Sequence, residues 1–150
     1  MEILDLDRLH NTIKSISDDK WLGRGEGRTT ALLALLMGEI ELGDRDNTYL
    51  FICPNARNTG YTLRRFVDML ESNGFTDYVY KPMHNHVIIP QLNILIFFDS
   101  ISTLSRDSFR GHRIQRVFLD VNILDQHCIG DFDEWQRTID YLKSSGADFV

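Results

Sequence analysis

A chain of 150 residues with 43% hydrophobic and 25% charged side chains has the size and composition of one globular domain with a core of its own. Its net charge of −6 excludes a surface that coats nucleic acid indiscriminately, since such binding rests on Lys and Arg neutralising phosphates. No apolar run approaches the ~20 residues needed to span a bilayer, the N-terminus is acidic where a signal peptide is basic, and Cys53 and Cys128 form no C-x-x-C unit, so a cytoplasmic protein without a membrane span, disulfide framework or zinc site is expected.

In chain order, Leu6, Leu9, Ile13 and Ile16 fall at helical spacing and predict a short amphipathic helix. Asp18 to Leu22 follows, short and polar for a central strand, with Trp21 read as a packing residue. After a glycine-rich turn, a helix is expected to start near Arg28, and its body from Thr29 to Ile40 is apolar nearly all round, as in a buried helix. Thr48 to Cys53 has the continuous hydrophobicity of an interior parallel strand and is closed by Pro54. Thr62 to Ser72 places Leu63, Phe66, Val67 and Leu70 on one helical face, with Gly74 as the stop.

Val87-Ile88-Ile89, a Pro90-Gln91 turn and Leu92 to Phe98 read as a hairpin. Arg116 to Asp120 is a further apolar strand ending in an acid. A last helix from about Asp131 to Ser144 turns Phe132, Trp135, Ile139 and Leu142 inward and ends at Gly146. Strands and helices alternating in this order predict an α/β domain, with a mainly parallel sheet and helices on both faces. Both cysteines read as buried thiols.

The turn Gly23-Arg24-Gly25-Glu26-Gly27-Arg28-Thr29-Thr30 carries the strongest chemical signal. Closely spaced glycines let a backbone approach a ligand, and a helix N-terminus behind them offers free N–H groups and a positive dipole end to phosphate. Against G-x-x-x-x-G-K-[ST], Gly27 is the final glycine and Thr29 the metal-binding hydroxyl. Arg28 stands in the lysine position and Leu22 in that of the first glycine; Arg24 supplies a second cation. A phosphate site of this kind implies a nucleoside triphosphate with Mg2+, so Gly23 to Thr30 are the candidate nucleotide-binding residues.

Such chemistry also needs a strand-end carboxylate for the metal, and Asp120 and Asp99 are rivals by pattern. The glutamate that usually follows the acid is replaced by Val121-Asn122, so any ATPase activity is expected to be weak. Asn122, Asp125 and Glu134 are the candidates for orienting water. Arg106, Arg110, His112, Arg113 and Arg116 reverse the average charge locally and are a candidate nucleic-acid patch. His84-Asn85-His86 reads as a loop coincidence, and with His127-Cys128 distant in sequence no metal site built from these residues is expected.

Taken together, these residues resemble the N-terminal ATPase domain of phage terminase large subunits. Leu22 to Leu32 is similar to that family's phosphate loop, and Ser105 to Asp120 to its Arg-Gly segment leading into the acidic strand. The resemblance runs from about Trp21 to Leu142. It implies a three-layer RecA-like or terminase-like P-loop NTPase fold, favours Asp120 over Asp99 for the metal, and implies a phage-type protein that binds ATP and Mg2+ and works with DNA or a phage or host DNA-processing protein; Arg28 in the lysine position and the missing glutamate after Asp120 depart from the family and make any hydrolysis slow. A single domain without the terminase nuclease is expected. The alternative is a catalytically degenerate derivative of the fold serving as a protein- or DNA-binding module.

Overall fold

The computed structural model describes residues 25–81, 85–121 and 123–150. The expected helix Leu6–Ile16, the segment Asp18–Leu22, and Gly23, Arg24, His84 and Asn122 lie outside the described residues.

Helix α1 runs from Gly25 to Glu41 and buries Leu32, Leu33, Leu36, Met37 and Ile40. Strand β1 (Thr48–Cys53) follows with the bounds its hydrophobicity predicts. Helix α2 (Ala56–Ser72) buries the expected Leu63, Phe66, Val67 and Leu70. It begins six residues before the expected Thr62, because Asn55 caps it, its side chain accepting from the Asn58 N–H at 3.0 Å. Most of Ala56–Tyr61 faces solvent, so no apolar rhythm marks these first turns. Strands β2 (Val79–Lys81) and β3 (His86–Ile89), the 3₁₀ turn Pro90–Leu92 and strand β4 (Ile94–Ser100) come next. Strand β5 (Arg116–Leu119), helix α3 (Phe132–Ser144) and strand β6 (Asp148–Phe149) follow toward the C-terminus.

The strands form one mixed sheet of order β2-β3-β4-β1-β5-β6. β4, β1, β5 and β6 are mutually parallel, and β2 and β3 add antiparallel strands at one edge. The chain is therefore an α/β protein with a mostly parallel sheet and three helices among the described residues. Strand alternation divides the core in two. Tyr49, Phe51, Cys53, Ile96, Phe98 and Phe118 pack with α1 and α2, while Leu50, Ile52, Phe97, Val117 and Leu119 pack with α3. Full burial of an aromatic such as Phe51 or Phe118 contributes about 1.5–3 kcal/mol, so this alternation fixes the register of β1 and β5 strongly.

The same parity orients the strand-end acids. Asp120 lies two residues beyond Phe118 and so leaves the sheet on the α1 side, whereas Asp99 alternates with Phe98 and follows Phe97 toward the α3 side. Beneath α3, the loop after β4 and the loop before α3 touch at Gly130, where a Cβ would stand 2.8 Å from the Ser102 carbonyl oxygen. Only glycine permits that approach.

Candidate functional site

The N-terminus of α1, the C-terminal end of β1 and the residues just past β5 meet on one side of the sheet. Asp120 continues the β1–β5 ladder, its N–H bonding the Ile52 carbonyl at 2.8 Å, which fixes where its side chain emerges. There its carboxylate accepts a short hydrogen bond from the Thr29 hydroxyl, joining residues 91 positions apart. Arg28, one residue earlier on α1, donates from Nη1 to the Val121 carbonyl at 2.8 Å. All three side chains are buried, Arg28 and Asp120 to 5% exposure and Thr29 to 8%.

Burial dominates the electrostatics, because removing a carboxylate from water disfavours its charged form. Burial pushes the Asp120 carboxyl up to about 6, and the Asp125 charge adds to this; the Thr29 hydrogen bond and the charges of Arg28 and Arg65 oppose it. Cys53, fully buried at the end of β1, has its thiol pushed up by burial and by the Asp120 charge, so it is an inert neutral group beside the site.

The helix begins earlier than its sequence suggests. Gly25 to Thr30 form the first turns of α1 and Gly27 is helical, where a loop closing near Arg28 was expected. Gly27 therefore takes no left-handed backbone conformation; a Cβ there would meet nothing within 4 Å. What the missing side chain leaves is open space beside the N–H groups of the first turn, which have no partner within the helix. Thr30 is exposed, and its hydroxyl accepts a 2.6 Å hydrogen bond from Arg65 of α2.

Arg65 is the residue that sequence reasoning missed. Nothing in its spacing points to the glycine-rich segment 35 positions earlier, because the two helices meet only through the fold. Its guanidinium also stands 5.6 Å from the Tyr61 ring centroid.

The other candidates are placed elsewhere. The Asp99 carboxylate accepts from the Ser100 N–H at 2.7 Å and the Thr103 hydroxyl at 2.6 Å, a local turn cap on the α3 side of the sheet. Asp125 lies in the 3₁₀ segment Ile123–Cys128, close enough for its charge to act on Asp120. Glu134 is in the first turn of α3 and pairs with Arg137 at 2.9 Å. Of the basic patch, Arg116 is turned away to an ion pair with Glu39 of α1, and Arg113 donates to the Ser145 carbonyl at 3.3 Å. Arg106, Arg110 and His112 remain together around one concavity. Cys128 is half-buried, with its sulfur 3.5 Å from the His127 ring, whereas the sequence suggested a buried thiol. No cluster of three or more His, Cys, Asp or Glu side chains able to hold a metal is found among the described residues.

Among the described residues no helix is long and apolar enough to cross a membrane. Comparison of the chain with protein-family models, curated proteins and solved structures finds no match.

Proposed function

We propose that this chain is a P-loop-type, terminase-like domain that binds ATP with Mg2+ at the N-terminus of α1 and turns it over slowly. One observation carries the reading: the hydroxyl of Thr29 and the carboxylate of Asp120, singled out separately as metal ligands, lie in hydrogen-bond contact beside a helix N-terminus. The donor set suits Mg2+, a hard cation that takes one or two protein oxygens, keeps several waters and leaves the rest to phosphate. The raised carboxyl of Asp120 fits as well, since a buried acid burdened by desolvation gains most from a nearby cation. In this reading Thr29 and Asp120 hold the metal, the first-turn N–H groups of α1 take phosphate oxygens, and Arg65 adds positive charge beside Thr30. Asp125 is the described candidate nearest in effect to Asp120 for orienting water.

Arg28 favours a second reading. Its guanidinium is buried and bonded to the Val121 carbonyl, so it braces α1 against the end of β5 instead of reaching outward as a phosphate-binding lysine does. A degenerate domain that binds protein or DNA without turning over nucleotide accounts for that placement.

Titration with fluorescent ATP, with and without Mg2+, followed by phosphate-release measurements on the native chain and on Asp120→Asn and Arg28→Ala, separates the two. Saturable, Mg2+-dependent binding that Asp120→Asn abolishes is the expected result. Absence of saturable binding by the native chain overturns the first reading in favour of the second.

A further inference from the structure

A polar concavity lies on the side of the sheet opposite Thr29 and Asp120, beside α3. It is open, has a volume of about 360 Å3, and is lined by Arg106, Asp107, Phe109, Arg110, His112 and Tyr141, with Gly111 completing its wall. The size falls in the range of pockets that take a small ligand or one unit of a polymer, roughly 300–1,000 Å3.

Its walls are fixed. Ser105 and Ser108 cap the 3₁₀ turn Arg106–Phe109 reciprocally, and Phe109 is buried in the core below. The Phe109 ring stacks on Tyr141 of α3 at 6.3 Å between centroids, tying the turn to the helix. Gly111, with φ of +83°, reverses the chain at the rim, and the His112 ring packs edge-on to Phe97 at 5.3 Å.

The functional groups on this frame are exposed. Arg106 sets its guanidinium carbon 4.1 Å from the Tyr141 ring centroid, a cation–π stack. Arg110 pairs with Asp107 at 2.8 Å, but both side chains are largely in water, so the pair is weak and a phosphate can displace it. Two arginines face one carboxylate in a chain whose overall charge is −6, so the cavity gathers cationic groups where the average surface repels anions.

We propose that this concavity binds single-stranded nucleic acid, with Arg106 and Arg110 taking backbone phosphates and the Arg106–Tyr141 stack supporting one base. Cationic groups beside an aromatic platform are what a strand with unstacked bases requires. A duplex keeps its bases stacked and offers only phosphates to such a cavity, leaving the aromatic floor without a role. An acidic peptide uses the arginines and likewise not the floor. The site stands apart from Thr29 and Asp120, and its existence does not depend on nucleotide binding there.

The test uses the full chain and fluorescein-labelled oligothymidylate of about 12 nucleotides, within the usual span of a single-strand site, followed by anisotropy across a salt series. The double variant Arg106→Gln/Arg110→Gln should bind at least about tenfold more weakly, and its log–log salt slope should fall by about 0.7 for each phosphate the arginines no longer neutralise. Arg137→Gln, which removes one charge from the exposed side of α3, should leave binding within about twofold. Tyr141→Phe should retain binding, and Tyr141→Leu should weaken it about fivefold or more without altering the salt slope. Melting curves on each variant establish that the fold is intact. Equal losses in Arg137→Gln and the double variant overturn the proposal, as does equal competition by duplex DNA or by a glutamate-rich peptide.

Discussion

Arg28, Thr29 and Asp120 are each less than a tenth exposed and are bonded to one another or to the backbone, whereas Arg110 and Asp107 in the concavity beside α3 have side chains 83% and 76% exposed. Both regions hold an acid and a cation within reach of a polar partner. Solvent makes the difference: buried groups need their partners because water cannot replace them, and exposed groups exchange partners at little cost. Substitutions at the first site should therefore change folding and binding together, and substitutions at the second should change binding alone.

The largest test of that contrast is pH. Asp120 is held protonated to about pH 6, against 3.8 for an ordinary aspartate, so between these values the folded chain binds more protons than the unfolded one. Stability from this group is present in full below pH 4 and is lost as pH rises through 6, by on the order of 3 kcal/mol. Urea denaturation of the native chain and Asp120→Asn across pH 4–7 should yield curves that converge at the acid end and separate toward neutrality. Parallel curves would show that the carboxyl is not desolvated.

Arg28→Ala should cost about 2–3 kcal/mol, because it strips a buried carbonyl of its charged donor and removes the positive charge that acts most on Asp120; a midpoint shift in the same titration reads it. Thr29→Val keeps the shape but deletes the hydroxyl that Asp120 accepts from, with an expected loss of about 1 kcal/mol, while Thr29→Ser should stay near the native value. Gly27→Ala should act in the opposite direction on folding, stabilising α1 by about 0.5–1 kcal/mol, and should weaken ATP binding by filling the open space beside the first turn. Arg110→Ala should change stability by no more than about 0.5 kcal/mol, since its ion pair is exposed.

How much of this was legible in the sequence follows the same line between local and distant causes. The strand Thr48–Cys53, the turn at Pro90 and the helix ending at Ser144 announce themselves through continuous hydrophobicity, a proline and a periodic apolar face. Strands β2 and β6, of three and two residues, were missed because only their neighbours' ladders make them strands. At the candidate site, the residue types of Thr29 and Asp120 were readable, but their contact was not. Arg28 reads as a cation aimed at phosphate, and burial turns it to the Val121 carbonyl; Arg116 reads as part of a basic surface, and α1 supplies Glu39 to hold it. Arg65 had no local mark, since its role depends on how α2 leans on the start of α1.

The bond between Thr29 and Asp120 also has a kinetic meaning. It closes a span of 91 positions that contains β1, α2, β2, the β3–β4 hairpin and β5, so it belongs to the non-local contacts that form slowly in a chain of this topology. Because the Asp120 N–H is a rung on Ile52, opening that rung withdraws the acid from its hydroxyl partner. The exchange rate of this one amide hydrogen thus reports how often the strand end that carries the acid opens in the folded protein.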